Sequence, residues 1–147
     1  MAKIHDYEKL GELFHLLIEK YNNGNHKHNR RLKHLTMADI RAIINIGHMR
    51  RERMSNLARH LHLTVGTLTN TIDRLVQKGY VQRHRSDEDR RIVEVSLSPK
   101  GEDLFKEIST MRKERAEKFF GQLSDEELEV LERILSKLVS NPLNDIP

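Results

Sequence analysis

With 147 residues the chain is long enough to bury a core unaided, and having no cysteine it excludes a disulfide framework, a thiolate zinc site and a cysteine nucleophile. Charge is dense, 26 Lys and Arg against 22 Asp and Glu, yet a net +4 alone does not specify nucleic-acid binding. The distribution says more: from His48 to Arg91 ten basic residues stand against five acidic ones, a net +5, while the rest of the chain carries 16 against 17.

The first residues, MAKIHDYEKL, form no long apolar stretch, and no later run approaches the roughly 20 apolar residues of a membrane span, so a soluble cytoplasmic protein is expected. From Tyr7 to Tyr21 the residues Tyr7, Leu10, Phe14, Leu17, Ile18 and Tyr21 recur at spacings of three and four, which predicts an amphipathic helix. The polar stretch Asn22 to His34 breaks that period and reads as a loop or frayed helix end. Thr36 and Asp39 have the spacing of a capping box and open a helix carrying Ile40, Ile43, Ile44 and Ile46, which Gly47 should end.

After the basic residues Arg50 to Arg53, Ser55 is expected to cap a short helix from Asn56 to His62, with Leu57, Ala58 and Leu61 inward. Thr64 can cap the next helix, Val65 to Lys78, whose apolar set is Val65, Leu68, Ile72, Leu75 and Val76, with Gly79 as its stop. Two short helices in succession, the second bearing small hydroxyl residues on its outer side, have the form of a helix-turn-helix. Tyr80 to Arg85 and Ile92 to Leu97 read as two strands joined by the charged turn Ser86 to Arg91, which makes a hairpin wing.

Ser98 and Pro99 should start another helix, running to about Leu123 with Leu104, Phe105, Ile108 and Met111 as its stripe. Ser124 to Glu127 is a second capping box, opening a last helix with Leu128, Leu131, Ile134, Leu135, Leu138 and Val139 inside and Asn141-Pro142 as its end. The expected fold is mainly α: a winged helix-turn-helix core with a two-stranded wing, flanked by helices from both termini. Residues 1–147 are expected to form a single domain, with the DNA-binding lobe at 36–100 and dimerisation helices at 4–22 and 100–140. The flanking stripes exceed what one small domain needs, which points to a homodimer.

Five stretches, in order and spacing, resemble the MarR family of winged helix-turn-helix regulators: 57–64 (LARHLHLT), 67–75 (TLTNTIDRL), 78–81 (KGYV), 83–91 (RHRSDEDRR) and 97–101 (LSPKG). The run from Thr64 to Thr69 and the wing are similar to members that repress fatty-acid biosynthesis genes and sense acylated acyl carrier protein. The resemblance implies a cytoplasmic, dimeric, sequence-specific regulator, commonly a repressor, that binds a near-palindromic stretch of double-stranded DNA. Its effector would be a small molecule or an acyl carrier protein, and no membrane partner or cofactor is implied.

The expected DNA-contacting residues are Ser55, Thr64, Gly66, Thr67, Thr69, Asn70, Thr71 and Arg74 in the helical part, with Arg83, Arg85, Asp89, Arg90 and Arg91 in the wing. Threonine methyls suit thymine methyls, Asn70 suits adenine, and Arg74 suits guanine or a phosphate. Gly66 costs a helix roughly 1 kcal/mol against alanine, which either a close approach of backbone to DNA or tight packing on the preceding helix would justify. In the family the wing's Asp-x-Arg puts an arginine in the minor groove with the aspartate holding it, and Asp89 and Arg91 match that pattern. Asp73 is expected to orient an arginine or cap a neighbour rather than touch DNA, and Asp87 and Glu88 to act as turn formers and counter-charges.

A ligand pocket between the dimer helices and the DNA-binding lobe is expected to draw on Phe14, Ile18, Ile40, Ile44, Phe105, Ile108 and Met111. Nine histidines raise the alternative of a zinc-responsive regulator, through His26, His28 and His34 or His60 and His62. The family's zinc sensors place ligands on the helix after the wing, where 98–123 has no histidine, so no metal is expected. A winged helix used only for protein contacts is the other alternative. No nucleophile elbow, phosphate-binding glycine loop or HExxH occurs, so an enzyme is not expected.

Overall fold

A computed structural model describes residues 5–23 and 32–140. The elements run α1 (Tyr7–Asn23), α2 (Met37–Met49), β1 (Arg51–Arg53), α3 (Met54–Leu61), α4 (Val65–Gln77), β2 (Val81–Arg85), β3 (Val93–Leu97), α5 (Pro99–Phe120) and α6 (Asp125–Ser140). The chain divides into two compact units, one reaching to Met111 and one starting at Arg112, with the boundary inside α5. No helix among the described residues is long and apolar enough to cross a membrane.

Local capping sets most helix ends. The Thr36 hydroxyl accepts from the Asp39 amide at 3.1 Å and the Asp39 carboxylate accepts from the Thr36 amide at 2.9 Å, so the expected capping box opens α2. The Thr64 hydroxyl accepts from the Thr67 amide at 3.2 Å at the head of α4, and Gly79, with φ of 79°, leaves that helix through the left-handed region that glycine enters freely. At α5 the Ser98 hydroxyl accepts from the Gly101 amide at 3.0 Å. Gly101 is required there by contact, since a Cβ would lie 2.0 Å from the Tyr80 carbonyl oxygen. The Ser124 and Glu127 box opens α6, with bonds of 3.2 and 2.9 Å.

Three local expectations are corrected. Gly47 does not end its helix: α2 continues to Met49, and a Cβ at Gly47 would come within 2.4 Å of the Phe105 ring, so the glycine admits α5. The basic stretch after α2 is not a connector. Arg51–Arg53 pairs antiparallel with β3, Glu52 opposite Val95, and makes a three-stranded sheet of order β1-β3-β2. Because β1 runs straight into α3, that helix starts at Met54 with Arg53 at its cap and no side-chain cap bond; Ser55 lies inside it and does not cap.

The core of the first unit joins α2, α3, α4, the sheet and the first half of α5. Ile43, Ile46, Leu57, Leu68, Ile72, Leu75 and Val95 are fully buried, and Leu104 and Ile108 close it from α5. At roughly 1.5–3 kcal/mol for each such side chain, this cluster holds the helix-turn-helix together without help from α1. Indeed α1 buries no residue, and Leu10, Leu13, Phe14, Leu16, Leu17 and Ile18 are 41–61% exposed. In the second unit, α6 likewise buries none. Ile134, Leu135, Leu138 and Val139, expected to lie inside, are exposed on this chain, while Leu128 and Leu131 are half-buried.

Candidate nucleic-acid interface

The outer side of α4 is built by its start. Thr64 sets the first turn, and its hydroxyl also lies 2.9 Å from that of Thr67, which fixes both side chains at the helix head. Gly66, Thr67 and Asn70 are exposed on this side. A Cβ at Gly66 would meet nothing within 4 Å, so packing against the preceding helix does not explain the glycine. Thr69, half-buried, turns its hydroxyl back onto the Val65 carbonyl at 2.7 Å.

Two residues expected at DNA serve the fold. Thr71 is 2% exposed and its hydroxyl donates to the Thr67 carbonyl at 3.4 Å, because its place on the helix faces the core. Arg74 turns inward: its Nη2 donates to Asp39 Oδ1 at 2.8 Å, tying α4 to the head of α2. Asp39 is fully buried. Burial alone would raise its pKa, but the Thr36 amide and the Arg74 guanidinium outweigh that and hold the carboxyl below its ordinary 3.8. The Arg74 guanidinium thus serves as a strut between helices, while its side chain remains 42% exposed.

The wing is braced from its neighbours. Asp73 on α4 forms an ion pair with Arg83 on β2, the orienting role expected of it. Arg85 Nη1 donates to the Arg90 carbonyl at 3.3 Å across the hairpin. In the turn, the Ser86 hydroxyl accepts from the Glu88 amide at 3.3 Å, and Glu88 lies 3.8 Å from Arg53. Asp89 Oδ1 accepts from the Arg91 amide at 3.0 Å and lies 3.4 Å from Arg91 Nε. The Arg91 side chain is nevertheless 93% exposed, a cation steered by a carboxylate and presented to solvent.

Between α4 and the wing lies an open groove of about 600 Å³, with Ser55, Val65 and Thr69 on its helical side and Arg83, Arg85 and Arg91 on its wing side. Val65, which helical period assigns to the apolar face, is 53% exposed here. Periodicity missed it because its position borders the buried stripe, and no local signal marks it.

The residues expected to line a ligand pocket are dispersed. Ile108 is a core residue at 2% exposure, Ile40, Ile44, Phe105 and Met111 pack against the core, and Phe14 and Ile18 stand exposed on α1. The Phe105 ring covers Gly47 and meets His48 edge to face at 5.3 Å between centroids. Among the described residues no group of three or more His, Asp or Glu could hold a metal ion; His26 and His28 lie outside them.

A family model described as the MarR family matches residues 35–93, the segment from the turn before α2 into β3. The HTH-type transcriptional regulator SarZ of Staphylococcus haemolyticus is 30% identical over 125 residues, covering 85% of this chain and 80% of that protein. The chain belongs to the MarR family. Another relative, the HTH-type transcriptional regulator YsmB of Bacillus subtilis, is 34% identical over 85 residues, and the match spans only 58% of its length. A crystal structure of Streptococcus pneumoniae FabT in complex with DNA superposes with a TM-score of 0.76 at 28% identity, covering 91% of this chain and 95% of that one. These MarR-type relatives are named as transcriptional regulators, not as enzymes. α4, β2 and the turn up to Val93 fall inside the MarR segment, and so does every residue that lines the groove.

Proposed function

We propose that this protein is a cytoplasmic transcriptional repressor that binds a near-palindromic double-stranded operator as a homodimer. The observation that carries the reading is the pairing of an exposed polar helix head, Thr67 and Asn70 beside an open Gly66, with Arg91 held out by Asp89 at the wing tip. Short polar side chains at a helix head suit base edges in the major groove, and an outstretched arginine suits the narrow minor groove of A/T-rich DNA. Arg83, Arg85 and Arg90 then lie toward the phosphates, and Ser55 and Thr69 flank the groove. The DNA complex of the similar FabT supports the same mode here.

The exposed apolar stripes of α1 and α6 support dimerisation, since a monomer would leave them in water. A two-fold partner would set the two recognition helices about 34 Å apart, one turn of duplex. Regulation then follows from an effector, a small molecule or an acyl carrier protein, that changes this separation and releases the operator. Phe105 and Met111 on α5, with Ile40 and Ile44 on α2, are the candidates to transmit it, and Phe14 and Ile18 to meet it.

The test is fluorescence anisotropy with a duplex selected from a randomised pool, against a scrambled duplex, between 50 and 200 mM salt. A protein touching six to ten phosphates loses about 10³- to 10⁵-fold in affinity over that range while retaining its preference for the selected duplex. Binding that is flat with salt, or equal for both duplexes, refutes sequence-specific DNA recognition and leaves a protein-contact module.

A further inference from the structure

The recognition helix displays one aliphatic side chain on its groove, which Met54, Ile92 and Val93 line together with polar and charged residues. Val65 opens α4 and is 53% exposed; Thr69 one turn on and Arg83, Arg85 and Arg91 opposite share the groove with it. Its side chain is not part of the core, which Leu68, Ile72 and Leu75 fill from the same helix. More than half of its surface is open to the groove, so burial in the core does not account for the valine. Next to it Gly66 leaves open space, which lets a ligand come close to this turn of the helix.

A duplex offers few partners for such a group. Base edges in the major groove present hydrogen-bond donors and acceptors, and the single apolar feature among them is the C5-methyl of thymine. A β-branched side chain also meets it with little entropy to lose, since its first torsion is already stiff. Resting on the DNA-binding reading above, we propose that Val65 is a specificity-determining residue that reads a thymine methyl group in each operator half-site. Cytosine at that position lacks the methyl, and a purine places a polar edge against the valine. The contact selects thymine by apolar contact alone, with no hydrogen bond of its own.

The experiment replaces each thymine of the selected operator in turn by deoxyuridine, which removes only the methyl, and measures affinity for the wild-type homodimer and for Val65→Ala. One burial-sized methyl contact corresponds to about fourfold in affinity. The expected result is one position per half-site at which wild type loses about fourfold on uracil substitution, with that loss absent in Val65→Ala and all other positions unchanged. At the same position 5-methylcytosine should recover part of the affinity that cytosine loses. Circular dichroism melting checks that Val65→Ala is folded, as its exposed position leads one to expect. If the two proteins give the same uracil profile, or wild type has no sensitive position while binding tightly, Val65 is not the reader although DNA binding stands. If no duplex is selected at all, the DNA-binding reading falls with it.

Discussion

Replacing Gly66 by alanine should move stability and DNA affinity in opposite directions. Gly66 lies in the first turn of α4 with an ordinary helical backbone, as Gly79 is the only described glycine with positive φ. The added methyl meets nothing within 4 Å, so no clash offsets the gain in helix propensity. That gain is roughly 0.5–1 kcal/mol, part of it from the lower entropy of the unfolded chain. For a protein of this size it corresponds to a rise in Tm of about 1–4 °C. On the proposed mode of DNA binding the same methyl would occupy the space through which the backbone of α4 approaches the duplex. Pushing the helix head back weakens charge-assisted contacts worth about 1.5–3 kcal/mol each, so operator affinity should fall tenfold or more per half-site. Thermal melting and anisotropy titration of one purified sample measure both quantities. A Gly66→Ala protein that is more stable and binds as tightly as wild type would show that the backbone does not approach DNA there; one that melts lower would show that the space is not open.

Arg91→Ala should lower operator affinity by about 1–3 kcal/mol, leave Tm unchanged, and reduce the salt slope by about 1 if the guanidinium sits among phosphates; unchanged affinity at 100 mM salt would remove Arg91 from the interface. Arg74→Ala leaves the buried Asp39 carboxylate with only its Thr36 bonds and should destabilise by about 1–3 kcal/mol, a range kept below that of a sealed pair because the Arg74 side chain is 42% exposed. Asp39 has a folded pKa held below 3.8, so its contribution is present above the unfolded value and lost as pH falls through that value toward the folded one. Urea midpoints of wild type should therefore drop between pH 5 and pH 3 more steeply than those of Asp39→Asn, and parallel profiles would refute the assignment. Ile134→Glu, placed on the exposed stripe of α6, should convert the proposed dimer to a folded monomer in sedimentation velocity and weaken binding to the full palindrome; a persistent dimer would move the interface elsewhere.

Features settled within four residues were legible in the sequence, because the partners are local. The Thr36 and Asp39 box, the Thr64 cap, the Gly79 exit and the Ser124 and Glu127 box all follow from side chains that bond amides one turn away. What failed depends on distant partners. Arg51–Arg53 has neither the length nor the alternation of a strand, and becomes one because β3 offers it a free edge. The tie from Arg74 to the head of α2 is visible only once Asp39, 35 residues earlier, is placed beside it. Gly47 resembles a helix stop, yet its role is set by Phe105 on another helix. The candidate site divides the same way: the wing's Asp89 and Arg91 are two residues apart and readable, whereas the exposure of Val65 exists only once α4 and the wing are set side by side.

The third strand has an effect on how this surface can change. A two-stranded ribbon is marginal in water, but here β3 is held on both edges, by β1 at Glu94, Val95 and Ser96 and by β2 along its whole length. The hairpin is thus clamped at its root while residues 86–91 project beyond the clamp. Ser86 is buried and Glu88 lies near Arg53 of β1, so the side chains free to change without loosening the lobe are the exposed Asp87, Arg90 and Arg91, and on the proposed mode of binding their exchange would retune which groove shapes are accepted. A library randomised over those exposed positions would test the proposed reading on an intact scaffold.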